Sequence, residues 1–440
     1  MACESTAEGG RWRLAAAVTP TTWRYLAVAT QVRIVDGAAA VSLVTLVVSL
    51  HGRVSYATAG LLTALLTAPQ LLGPLAAEPL ARARDPRRVL AVAFVGLGVA
   101  LSACGLLVEH RNLALAAVAA AAAGCAGPLV TGGLSAQSIT RRADDLTGER
   151  RAEALDAATY GLGSTVGPIV VAAVVAWISP LAAVVVLGAV ALAAAGGALI
   201  LPAARGDTEP GQARMPLREV LVAIAGVGPL RRVLAATTIA ALGTGGLLVV
   251  AVVFGARLGG HAGGGPLLAA AFGIGGLAGS LALTVRPLRT EPERTTLALM
   301  AATGASVALC ALAPDEAAAA VLFALAGAVA AAQFTASLAV RSAYAPPGTR
   351  AHVYVTMASL KVGCASAGAA LAGALLTIGP RPALFAIAGL IAAGAALATA
   401  MRSRSARKPA CPGSPASRSR RTPPLPVTCS VRPHVRRDAC

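Results

Sequence analysis

The chain has 440 residues, 56% hydrophobic and 13% charged, with a mean hydropathy of +0.73. That charge content is about half of what a soluble globular domain carries. Apolar runs of about 20 residues, enough to cross a hydrocarbon core of about 30 Å, recur from end to end and exclude a string of soluble domains. The net charge of +18 does not mark a nucleic-acid protein, because the arginines lie between apolar runs and in the C-terminal tail, never in one patch interleaved with aromatics.

In chain order, spans are predicted at 24–50, 56–79, 89–108, 113–136, 153–178 and 180–201, then at 232–256, 264–286, 295–313, 316–340, 353–378 and 381–401. The reading is an all-α membrane protein of twelve transmembrane helices, divided into two six-helix bundles at 24–201 and 232–401. A cytoplasmic segment, 1–23, precedes them. A polar linker, 202–231, joins them, and a basic tail, 402–440, follows. The tail is too poor in apolar residues to offset the entropy of ordering, so it is expected to be disordered.

Charge sets the expected orientation. With a cytoplasmic N-terminus, the loops on that side hold 21 arginines, such as Arg82, Arg84, Arg87 and Arg88, while the opposite loops hold Arg53, Arg111, Arg257 and Arg381. Basic loops resist translocation, so both termini are expected in the cytoplasm and the chain in the plasma (inner) membrane.

The halves match at an offset of about 200 to 208 residues. Arg24, Gly37 and Gly52 recur as Arg232, Gly245 and Gly260. Gly73 recurs as Gly279. Arg88, Gly98 and Cys104 recur as Arg294, Gly304 and Cys310, and Gly163 and Pro180 as Gly363 and Pro380. A duplicated six-helix unit with both copies oriented alike resembles the major facilitator architecture, in which two bundles rock about a central site.

An ionisable group within a span costs about 2.5–3.5 kcal/mol near the helix centre and needs a reason. Arg33 and Asp36, three residues apart, share a face of the first span. They are read either as a substrate or proton-coupling element or as an intrahelical pair that neutralises itself. Lys361, one of two lysines in the chain, would attract an anion to the eleventh span or snorkel to the headgroups. Asp156, in the fifth span, is expected to pair with a loop arginine or to share in coupling. Cys104, Cys125, Cys310 and Cys364 read as small buried hydrophobes. No metal set, cofactor site or catalytic constellation is read, and no nucleotide-binding G-x-x-x-x-G-K-[ST] occurs, so an enzyme is not expected.

Two segments carry a narrower resemblance. Gly163-Ser-Thr-Val-Gly167-Pro168 resembles the G-x-x-x-G-P element of drug/proton antiporters, a resemblance that implies helix packing at Gly163 and Gly167, a bend at Pro168, and export. The stretch from Gly73-Pro-Leu-Ala to Asp85-Pro-Arg-Arg is similar to the superfamily's G-x-L-A-D-x-x-G-R-R loop. Ala77 occupies the acidic position, and Glu78 or Asp85 would replace it with Arg87 and Arg88 as partners in a cytoplasmic latch. The resemblance to the twelve-helix drug/proton antiporter branch implies a monomeric secondary transporter whose partners are a small-molecule substrate, protons and the lipid bilayer. The expected activity is proton-coupled export of a small, partly apolar molecule. The alternatives are uptake or facilitated diffusion on the same fold, or a non-transporting receptor or scaffold.

Overall fold

A computed structural model describes residues 20–50, 53–72, 83, 85–135, 146–201, 217–285, 290–346 and 350–406, and every regular element among them is helical. The first half contains α1 (Pro20–Ser49), α2 (Tyr56–Thr67), α3 (Pro86–Glu109), α4 (Leu113–Gly124), α5 (Leu146–Trp177) and α6 (Pro180–Ile200). A short helix α7 (Leu217–Gly226) leads into α8 (Gly228–Gly259), α9 (Gly264–Val285), α10 (Pro292–Cys310), α11 (Glu316–Tyr344), α12 (Arg350–Leu375) and α13 (Pro380–Ala406).

The helix starts follow from local chemistry. Asp85 caps α3 and accepts from the Arg87 amide, with Pro86 in the first turn. Ser179 and Pro180 do the same for α6, and Asp315 accepts from the Ala318 amide to start α11. Each cap satisfies an amide that the helix itself leaves without a partner.

Nine of the described helices are long and apolar enough to cross a bilayer, and the chain is a multi-pass membrane protein. The expectation of twelve crossings meets three shorter or more polar helices. One runs from Tyr56 through a 3-10 turn to Leu72, and α4 ends at Gly124 ahead of a π-helical turn at Leu129–Gly133. The third, α10, spans 19 residues with Glu293 and Arg294 in its first turn. Large apolar side chains such as Val92, Val118, Val321 and Ile378 point outward, as lipid-facing positions should. Trp23 and Trp177 are also exposed, at opposite ends of the first bundle, where interfacial aromatics belong.

The same helix pairings occur twice. α1 packs on α5 and α6, and α8 on α12 and α13; α3 packs on α4 and α6, and α10 on α11 and α13. The halves meet where α2 lies on α12 and α5 on α9, a seam that is again equivalent under the repeat.

The expected polar linker, 202–231, contains α7. Val220 and Ile224 of that helix bury against Leu230, Val340 and Met357. Its 10 residues are half of a membrane span, so an apolar-run criterion passes over it.

Candidate functional site

Among the described residues, hydrogen bonds cross the seam at two places. The hydroxyls of Thr67 and Ser366 are 2.8 Å apart, and the Thr165 hydroxyl donates to the Gly273 carbonyl at 3.1 Å. Thr67 and Gly273 occupy matching places in the repeat, and Ser366 lies one residue past the sequence match of Thr165, so a similar contact is made twice. Leu71 on Gly363 is likewise repeated as Leu277 on Gly161. These contacts pair Gly161 with Gly363, two residues from the sequence match of Gly163 with Gly363.

Beyond the seam, on the side where α1 ends, the halves touch closely. A Cβ on Gly60 would lie 2.5 Å from the Ala369 carbonyl oxygen and 2.7 Å from the Gly373 Cα, so backbone meets backbone there. The Arg257 guanidinium lies 5.6 Å from the centre of the Tyr56 ring, tying the end of α8 to the start of α2.

On the opposite side, where α1 begins, the halves part around a cavity of about 1190 Å³. Its wall is mostly apolar, and its polar groups include Arg33, Asp36, Gln70, Tyr160, Ser164 and Thr335. That composition, wide apolar surface with a few placed polar groups, is typical of a small-molecule site.

Arg33 does not pair with Asp36. Its Nη1 donates to Asp156 Oδ1 at 2.8 Å and to the Asp156 carbonyl at 2.9 Å, and its Nη2 donates to Ser135 Oγ at 2.8 Å. The Thr159 hydroxyl accepts from it as well, and the Tyr160 ring centre lies 3.6 Å from the guanidinium carbon. Asp156 also accepts from the Tyr25 hydroxyl and, at 2.7 Å, from Ser135. The i,i+3 spacing does place Arg33 and Asp36 on one face, but the long arginine side chain reaches across to α5. Glycines permit this: a Cβ on Gly37 would lie 2.6 Å from the Gly163 carbonyl oxygen, and one on Gly163 2.5 Å from that of Arg33. Asp156 lies two turns from Gly163 on the same helix. The expected loop arginine is therefore replaced by Arg33, only 2% exposed, in a buried ion pair between α1 and α5.

Asp36 lines the cavity, half-buried, and its side chain forms no hydrogen bond or ion pair among the described residues. Gly163 and Gly167 pack on α1, the latter against the Ile34 carbonyl. Pro168 lies inside a continuous α5 and lines the cavity. Lacking an amide proton, it leaves the Ser164 carbonyl without its usual helical donor. That carbonyl faces Gly273, where a Cβ would approach it to 2.8 Å. Lys361 is not part of the cavity wall. Its Nζ lies 5.6 Å from the centre of the ring of Phe334, which is a wall residue.

Gly73 and Glu78 lie outside the described residues. Asp85, Arg87 and Arg88 form a local ion cluster, with Arg87 Nε at 2.9 Å and Arg88 Nε at 3.6 Å from the Asp85 carboxylate. Arg87 Nη1 also donates to the Leu201 carbonyl at 3.0 Å. The hydrogen bond from Arg87 holds the Asp85 carboxyl below the usual carboxylate range. The second half repeats the arrangement, with Glu291 beside Arg294 at 2.9 Å and bound by Arg402 of α13 at 3.0 Å. In both halves the cluster ties the third helix of the bundle to the end of its last. Among the described residues it does not reach the other bundle, as a latch between them would.

Two arginines that the charge count treats as loop residues are buried. Arg232 forms a bidentate pair with Glu293, at 2.6 and 2.8 Å, between α8 and α10. Arg341 is only 3% exposed, inside α11 over the Tyr354 ring. The sequence carries a signal for the first: Glu293 opens a span and stands directly before Arg294, the repeat counterpart of Arg88. The seam residues Thr67, Thr165 and Ser366 carry none, since hydroxyls in spans commonly bond to their own helix, as Thr63 and Thr67 also do.

Fold and cavity together define a membrane transporter built from two repeated bundles. The sequence profile of the Major Facilitator Superfamily matches residues 26–314, and the chain belongs to that family. A comparison with curated proteins gave no significant sequence match. Solved structures share the fold at low identity. One is a bacterial homologue of the human lysosomal transporter Spinster, in an inward-facing and unoccupied conformation. It is 16% identical, with a TM-score of 0.68 over 87% of this chain and 98% of that one. The nucleoside transporter NupG is 13% identical, with a TM-score of 0.67 over 87% and 99%. An auto-inhibited peptide transporter of the POT family is 14% identical, with a TM-score of 0.63 over 88% and 97%.

Proposed function

We propose that the chain is a proton-coupled exporter of small, partly apolar molecules. It works by alternating access, with twelve crossings and both termini in the cytoplasm. Asp36 is the coupling group, and the observation that carries this reading is its carboxylate, set in the cavity wall with no protein partner among the described residues. A charged carboxylate in a largely apolar cavity is costly to hold. Binding a proton removes the charge, so the protonation state of Asp36 alters how stably each conformation holds the cavity. Arg33 and Asp156 neutralise one another and hold α1 on α5, a positioning role. The direction, export, is supported by the Gly163–Pro168 element and its likeness to antiporters.

In everted membrane vesicles energised to an acid interior, a transported compound releases protons, which a pH-sensitive dye reports. Across a panel of small amphipathic compounds, those that collapse the gradient with the native chain are expected to give no dye response with Asp36→Asn. Transport by Asp36→Asn with an unchanged dependence on the pH gradient would overturn the role of Asp36.

A further inference from the structure

Among its described residues, the second bundle holds two cations, Arg341 and Lys361, that are not solvent-exposed and yet have no counter-charge. Within 228–406 the acidic residues are Glu291, Glu293, Asp315 and Glu316. Glu291 is held by Arg294 and Arg402, Glu293 by Arg232, and Glu316 by His261 at 3.3 Å, while Asp315 caps α11. None of them reaches Arg341 or Lys361. Arg341 is 3% exposed, and its buried Nε has no hydrogen-bond acceptor among the described residues. Its contact is the Tyr354 ring, 5.8 Å away, whose hydroxyl donates to the Leu338 carbonyl at 3.1 Å. Lys361 lies beside the Phe334 ring. Phe334 and Leu338 are both cavity wall, and Phe334 is 54% exposed. Both cations therefore adjoin wall residues of α11, Lys361 through Phe334 and Arg341 through Tyr354 and Leu338.

Burying an unpaired cation is expensive, and the cost is recovered when an anion arrives. Arg33 shows the contrast in charge: its Nε also has no acceptor among the described residues, but Asp156 neutralises it and Ser135 and Thr159 accept from it. We propose that Arg341 and Lys361 form an anion subsite of the cavity, which takes a carboxylate or phosphate group of the cargo while Phe334 stacks on its apolar part. This deepens the transporter reading and rests on it: the cargo is an amphipathic organic anion, held against the part of the wall that α11 forms.

Lysine chemistry tests this without any transport assay, because the chain has only Lys361 and Lys408. Pyridoxal 5′-phosphate and pyridoxal differ in the phosphate. Each condenses with a lysine amine to an imine, losing water, and borohydride delivers hydride to the imine carbon to leave a stable secondary amine. The full chain in phosphatidylcholine nanodiscs is labelled with each reagent, and the two lysines are read separately by mass spectrometry. Lys361 is expected to react with the phosphate reagent at a concentration about tenfold or more lower than with pyridoxal, as two close cations should favour an anion. Lys408 serves as the reference for intrinsic reactivity. Arg341→Gln should abolish the preference and Arg341→Lys retain it, while Asp36→Asn should leave it unchanged. Equal reaction with both reagents at Lys361, or no reaction with either, would overturn the subsite. Loss of the preference on adding phosphatidylglycerol would assign the cations to a lipid headgroup and equally overturn a cargo site. Because Asp36 plays no part in the labelling, failure of the coupling reading and failure of the anion subsite give different results.

Discussion

Two aspartates of the first bundle differ in what surrounds them, and their substitutions should differ accordingly. Asp156 neutralises Arg33 in a site closed by Tyr25 and Ser135. Asp156→Asn leaves a buried guanidinium without its counter-charge, a change that costs about 3–5 kcal/mol in buried pairs. Asp36→Asn removes a costly charge that forms no hydrogen bond or ion pair among the described residues, so stability should hold or rise. Unfolding in mixed detergent measures both, and equal destabilisation would contradict the separation of roles. Glu293→Gln should resemble Asp156→Asn, since it strands Arg232. Converting both Arg232 and Glu293 to leucine should recover much of that loss, because an apolar pair carries no desolvation penalty. That charges lie within the spans is plain from the sequence. Their partners are not, because i,i+3 spacing fixes only which face of α1 Arg33 and Asp36 share. Whether the guanidinium turns to Asp36 or Asp156 depends on how near α5 lies.

Helix contacts in this chain are set by small side chains, which lets the effect of one methyl group be forecast by position. Gly37 meets the backbone of α5, whereas a Cβ on Gly96 of α3 would have nothing within 4 Å. Gly37→Ala should therefore destabilise by about 1–3 kcal/mol through overpacking. Gly96→Ala should be neutral or stabilising by up to about 1 kcal/mol, since alanine is the better helix former. The same unfolding assay distinguishes them, and a neutral Gly37→Ala would show that α1 and α5 are not in close contact. Most helices were legible as apolar runs, with starts marked by Asp85-Pro86, Ser179-Pro180 and Asp315. The short α7 was not, because its stability comes from packing on α8 and α12 and not from its own length. α10 was legible from 295 onward, and its first turn, with Glu293 and Arg294, lies ahead of the predicted span.

At the scale of the molecule, the duplication read from Gly, Pro and Arg matches reappears as equivalent packing and as the doubled contacts of the seam. The relative placement of the halves was not legible, since it depends on pairings such as Thr67 with Ser366 that join residues far apart in the chain. The structure closes the side at Tyr56, Gly60, Arg257 and Gly373 and leaves a cavity on the other. A carrier that exposes this cavity to each side in turn must part those residues in every cycle. In a chain whose native cysteines are replaced, Tyr56→Cys and Arg257→Cys can be joined by a short bis-methanethiosulfonate bridge. The bridge should stop transport in proteoliposomes, reduction should restore it, and each single cysteine should transport normally. Transport at an undiminished rate with the bridge fully formed would contradict alternating access through this seam.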